Sequence, residues 1–200
     1  VHADARRYFF RRPFTLAVRG GHFARYGRDA DNVEQMSPMF LGDETLIRGY
    51  AYNSITLSEC TAGGNTSDRC PVFERLLGSR LAIASAEIRI PLLGTSSFGL
   101  INFPYLPLEV SPFIDAGLAW TSDQRPDLRL QRFTTKDPTC RPTTSVLVYA
   151  PCAQRIPVFS SGISFRVNML GYMVLETYIA KPYQRPTKGY VWGIQIAPGW

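Results

Sequence analysis

Two groups of residues have types and spacings that could support chemistry. The first is Arg48, within Leu46-Ile47-Arg48-Gly49-Tyr50, together with two later carboxylates, Glu87 and Asp115. An arginine fork between two carboxylates gives charge-assisted, potentially bidentate hydrogen bonds. Such a cation keeps both acids ionised, which suits an anchor and is poor for a general acid. The competing reading pairs Glu87 with Arg89 or Arg166 and leaves Arg48 solvated in a turn. The second group is four cysteines in two local pairs, Cys60 with Cys70 and Cys140 with Cys152. Neither pair has Cys-x-x-Cys spacing, and only His2 and His22 could assist, so no metal site is expected. Two short-range disulfides in an oxidising compartment fit better, each worth about 3 kcal/mol in the chain-entropy model. Cross-pairing between the two cysteine-bearing segments stays open. No Gly-x-Ser-x-Gly elbow, His-Glu-x-x-His or phosphate loop occurs, so the chain reads as no enzyme and needs no cofactor.

The elements that must hold these residues are strands. Helical periodicity is nearly absent, and segments of strict alternation are separated by Pro, Gly, Asn and Asp clusters. Val1 to Arg11 is a first, weaker strand. Phe14 to Tyr26 puts Phe14, Leu16, Val18 and Gly20 on one side. Ser79 to Pro91 sets Ala82, Ala84, Ala86, Ile88 and Ile90 against Ser85, Glu87 and Arg89. Leu108 to Trp120 sets Val110, Ile114, Leu118 and Trp120 against Glu109, Ser111, Phe113 and Asp115. Ile156 to Asn168, Met173 to Ile179, and Tyr190 to Trp200 complete seven strands. Two long segments interrupt them, 27–78 with Arg48 and the first cysteine pair, and 121–155 with the second. The other connections are tight, after Arg11 and at Met169-Leu170-Gly171.

A soluble sandwich would also alternate, with its polar face in water. Here the polar faces are mostly Gly, Ser and Ala punctuated by single charges, while the apolar faces end in Trp and Tyr. That pattern, with short turns at one end and long loops at the other, is the signature of an outer-membrane barrel. No run of about eighteen apolar residues exists for a transmembrane helix. Seven strands are an odd number, and an open sheet in lipid leaves costly unpaired edges. The expectation is therefore an all-β, antiparallel transmembrane β-barrel of which residues 1–200 form the C-terminal seven strands. The missing strands, and any periplasmic domain, are expected before Val1, which follows no leader-like stretch.

The motifs resemble the C-terminal part of the bacterial surface-antigen barrels, the superfamily of BamA and TamA. Ile47-Arg48-Gly49-Tyr50 is similar to that family's Arg-Gly-Phe/Tyr loop motif. Ala86-Glu87-Ile88-Arg89 and Phe113-Ile114-Asp115-Ala116-Gly117 follow in order, and Gly193 to Trp200 resembles the terminal aromatic strand, with Pro198 as a departure. The resemblance implies a sixteen-stranded barrel in the bacterial outer membrane, with the long loops outside. It implies a loop lock by Arg48, Gly49, Tyr50, Glu87 and Asp115, and a terminal-strand signal in Tyr190, Trp192, Gly193, Ile194, Ile196 and Trp200. It further implies assembly or insertion of outer-membrane proteins, or polypeptide translocation, through a seam between first and last strands. Gly193, Gly199 and Pro198 read as compatible with a loose seam. The alternative is a structural or surface-binding barrel that anchors a separate soluble domain without insertase activity.

Expected partners are outer-membrane lipid and lipopolysaccharide, the remaining strands of the barrel, unfolded barrel proteins and accessory lipoproteins. The net charge of +6 also invites nucleic acid, but the basic residues are scattered and no nucleic-acid motif accompanies them, so nucleic acid is not expected. The excess charge is instead placed in loops and turns, at Arg125, Arg129, Arg132, Lys136, Arg141, Arg185 and Lys188, near lipid phosphates or water.

Overall fold

The computed structural model describes residues 1–61, 70–97, 99–103, 105–124, 126, 128, 155–169, 173–185 and 188–198. Ten strands lie along the chain: β1 (His2–Arg11), β2 (Phe14–Ala24), β3 (Met39–Phe40), β4 (Leu77–Gly78), β5 (Arg80–Gly94), β6 (Ile101–Asn102), β7 (Leu108–Trp120), β8 (Val158–Met169), β9 (Met173–Pro182) and β10 (Val191–Pro198). The seven long ones form a single open sheet in the order β1-β2-β5-β7-β8-β9-β10. Each long strand pairs antiparallel with the previous long strand, so the sheet is an all-β meander. The chain reaches the next edge by the shortest route, as connections in compact sheets do. The short β6 adds in parallel to the end of β5, and β3 with β4 makes a separate ribbon inside the 27–78 segment.

Pro112 lies inside a central strand, where proline removes a ladder donor. The β5–β7 pairing accommodates it by passing from Glu87↔Phe113 to Ile90↔Val110 with no bridge between. Its other neighbour, Ile163, keeps register.

Which face is covered is the informative part. Ser111, Asp115, Ser160, Ser164, Glu87 and Glu176 are buried on one side of the sheet. Leu16, Ile88, Ile114, Ile163, Ile179, Trp192, Ile194 and Ile196 stand exposed on the other. The polar side is covered because the 27–78 segment folds back over it. Leu41, Ile47, Tyr50 and Leu76 of that segment pack on Leu81, Ile83, Ala119 and Val158 of the strands. The sheet also curves. Arg6 and Tyr8 of β1 and Gln195 of β10 line one cavity of about 120 Å³ beside Arg48.

In the last strand, Gly193 is met by a side chain from its neighbour. Gly193 pairs with Tyr178, and a Cβ there would collide with the Tyr178 ring. The aromatic ring thus covers the glycine, a cross-strand contact that tightens β9 against β10. Pro198 closes β10 opposite Met173, at the strand's end, where a missing donor costs least. Trp200 lies outside the described residues.

Candidate functional site

The segment that carries Arg48 is shaped locally before it is anchored. Asp43 Oδ1 accepts from the Thr45 backbone N–H at 2.8 Å, and the Asp43 carbonyl accepts from Leu46 and Ile47 N–H at 2.9 Å each. This aspartate turn aims Ile47 and Arg48 at the sheet. Gly49 follows with φ of +89°, and a Cβ there would sit 3.1 Å from the Cβ of Ala180. Both the backbone conformation and the close approach to β9 call for glycine.

Arg48 is 5% exposed. Its Nε and Nη2 donate to the two oxygens of Asp115, both at 2.8 Å, and its backbone N–H reaches Asp115 Oδ2 at 3.2 Å. Nη1 donates to Glu176 at 3.0 Å and lies 3.4 Å from Glu87. The guanidinium carbon sits 3.5 Å from the centre of the Phe113 ring, a cation–π stack. Glu87 is held more closely by the wall: Arg166 donates to both its oxygens at 2.8 and 2.9 Å, and Arg89 to one at 2.7 Å. Arg166 also binds Glu176 at 2.8 Å. Three arginines and three carboxylates therefore compensate one another in a covered network. Burial alone would pull the Arg48 pKa down; the bonds and charge of Asp115, with Glu176 and Glu87, outweigh it and raise the value.

The two sequence readings of Glu87 are combined rather than separated. Glu87 pairs with Arg89 and Arg166, and Arg48 is nevertheless buried, with Asp115 as its main partner. Arg166, the alternative partner of Glu87 in the sequence, takes that place, while Glu176 is not among the sequence candidates although it lies on the polar side of its strand. Tyr50 is fully covered; its hydroxyl lies 2.9 Å from the Phe159 carbonyl and 3.0 Å from Gln184 Oε1, and accepts from Gln184 N–H at 3.2 Å. Burial raises the Tyr50 pKa, so the hydroxyl stays a donor.

Arg185 departs furthest from expectation. It was placed among solvated or lipid-facing charges, but it is 1% exposed. It donates to both oxygens of Glu59 at 2.7 Å, to the Gly49 carbonyl at 2.7 Å, and to the Ser54 carbonyl at 2.6 Å. Glu59 belongs to a short helix, α1 (Leu57–Thr61), and Cys60 of that helix is bonded to Cys70, which precedes α2 (Pro71–Glu74). Cys140 and Cys152 lie outside the described residues, as do the basic residues 125, 129, 132, 136 and 141. Two further arginines hold the segment through its carbonyls. Arg19, fixed by Asp4, reaches Thr45 at 2.6 Å, and Arg155 reaches Glu74 at 3.0 Å and Leu77 at 2.7 Å. Burial lowers the Arg155 pKa to about 10, which still leaves it charged at neutral pH.

The Glu59–Arg185 pair carries a pH prediction. Burial alone would raise the Glu59 pKa, but the Arg185 and Thr56 hydrogen bonds outweigh it and hold the value below the ordinary range. A depressed carboxylate stabilises the folded form above its unfolded pKa, and that contribution is lost as pH falls through the folded value. Proteolytic exposure of 49–59 should therefore stay flat from pH 8 to 5. It should rise only below the ordinary glutamate range of about 4.3, as read by acid-protease digestion.

Among the described residues no group of three or more His, Cys, Asp or Glu is arranged to hold a metal ion. No helix among them is long and apolar enough to cross a membrane, which says nothing about strands. Comparisons with protein-family models, curated proteins and solved structures found no match for this chain. What fold and site define is a class: an antiparallel sheet with one exposed apolar face and a long loop ionically docked on its polar face.

Proposed function

We propose that this chain is the C-terminal part of an outer-membrane β-barrel of the surface-antigen type, sixteen-stranded when complete, acting in outer-membrane protein assembly or polypeptide translocation. The observation that carries the reading is the polarity of the sheet. Its exposed side carries Leu16, Ile88, Ile114, Ile163, Ile179, Trp192, Ile194 and Ile196, each at least 40% exposed, on neighbouring strands, and its covered side is polar and charged. Lipid outside and a hydrated, loop-plugged interior satisfy both. Strands of 8 to 15 residues, most of them 10 or longer, are of the length a tilted strand needs to cross the hydrocarbon. In this reading Arg48 locks the 27–78 loop to the inner wall, and the long segments lie outside the cell.

A barrel that only anchors a soluble domain is the second reading. Periplasmic peptide-binding repeats upstream would favour assembly; a propeller or hydrolase domain would favour the anchor.

The test is extraction and reconstitution of the full protein. It should require detergent, insert into vesicles with its strand content retained, and shield Trp192 from an aqueous quencher. A monodisperse species in plain buffer, with Trp192 and Ile88 buried against a second protein layer, overturns the proposal.

A further inference from the structure

The β1–β2 hairpin holds Arg6, Arg7, Arg11 and Arg12 within seven residues. Arg6 is on the inner side, bonded to Asp4. The register sets Arg7 opposite Val18, Phe9 opposite Leu16 and Arg11 opposite Phe14, and Leu16 continues to Ile88 of β5. These residues therefore share the outer, apolar face, with Arg12 beside them in the turn. Among the described residues no ion pair engages Arg7, Arg11 or Arg12. Phe9, Phe14, Leu16 and Ile88 are each between 40% and 47% exposed. The Arg7 guanidinium lies 5.1 Å from the Phe9 ring centre.

Arg7 on one side and Arg11 with Arg12 on the other flank the bare apolar row of Phe9, Leu16 and Ile88, an arrangement that calls for a ligand with both an anionic and an apolar part. An acidic protein or a nucleic acid could meet the charges but would leave Leu16 and Ile88 uncovered. A lipid with an anionic head meets both: its phosphate faces the guanidiniums while its chain lies along the strip, and arginine stems extend readily to such an interface. The site is also at the short-turn end of the sheet, opposite the loops to which sequence reading assigned the basic charge.

We propose that the outer face of the β1–β2 hairpin, around Arg7, Arg11 and Arg12, binds an anionic phospholipid, with its acyl chain along Phe9, Leu16 and Ile88. The proposal rests on the membrane reading above. Its test is the full protein reconstituted in phosphatidylcholine vesicles carrying trace spin-labelled phosphatidylglycerol or spin-labelled phosphatidylcholine. The expected result is an enrichment of phosphatidylglycerol at the protein of about fivefold or more, the order that one basic residue near an anionic surface supplies. Combined substitution Arg7→Gln, Arg11→Gln and Arg12→Gln should abolish the preference, and Arg28→Gln, at the opposite end, should leave it intact. Equal association of both lipids with an inserted protein overturns this proposal and leaves the membrane reading standing. So does a preference that survives the triple substitution. Failure of the wild-type protein to insert overturns both.

Discussion

Arg48→Ala is expected to free the 27–78 segment while leaving the sheet intact. The substitution removes both side-chain bonds to Asp115, which is 2% exposed, and the bond to Glu176, and it uncovers the face of Phe113. The network then holds three carboxylates against Arg89 and Arg166 alone. Stranding a buried charge in this way costs about 3–5 kcal/mol in a dry site and less where water can enter. Even 3 kcal/mol moves an opening equilibrium by about a hundredfold. The strands pair through their own backbones, so the loss falls on the loop. Limited trypsin digestion should cut between residues 27 and 78 far faster in the variant, with strand content unchanged by circular dichroism. Arg48→Lys should recover only part of the protection, since it restores the charge without the planar fork. Unchanged digestion of the alanine variant would remove Arg48 from the role of anchor.

The part of this arrangement that can be read from sequence is the part set by period two. Alternation in Ser79–Pro91 and Leu108–Trp120 placed Glu87 and Asp115 on one face, because adjacent strands of a meander share their inward parity. A one-residue slip would have exposed both, so strand pairing and acid placement stand together. Glu176 obeys the same rule and is equally available, but no short motif surrounds it to single it out.

Arg185 is a different case. It follows Pro182-Tyr183-Gln184 in a turn-like, polar stretch, and its burial depends on where α1 lies, which no periodicity specifies. The same holds for Arg155, whose partners are mostly backbone carbonyls, and for the one bond by which Arg19 reaches the Thr45 carbonyl. Loop carbonyls carry no residue-type signal, so arginines that satisfy them look the same in sequence as solvated ones. Gly193 is a related case. A glycine in a strand can mark either a weak point or a seat for a cross-strand ring, and only the register decides between them.

Arg185→Ala should be as damaging as Arg48→Ala and should act elsewhere. Its removal strands Glu59, whose side chain is 2% exposed, and leaves the Gly49 and Ser54 carbonyls without these donors. A buried carboxylate without its partner costs about 3–5 kcal/mol, and each orphaned acceptor about 1–3 more. Because Arg185 lies between β9 and β10, the loss is shared by two segments. Hydrogen exchange should quicken together in 49–59 and 183–191, whereas Arg48→Ala should quicken 43–50 and leave 183–191 slow. Glu59→Gln, which keeps the shape and removes the charge, should reproduce the first pattern in milder form. The two arginines flank one glycine: Arg48 precedes Gly49 in the chain, and Arg185 holds its carbonyl. The double substitution should therefore cost less than the sum of the singles, since residues in one network do not add independently. Simple additivity would mean that the Asp115 anchor and the Glu59 anchor work separately.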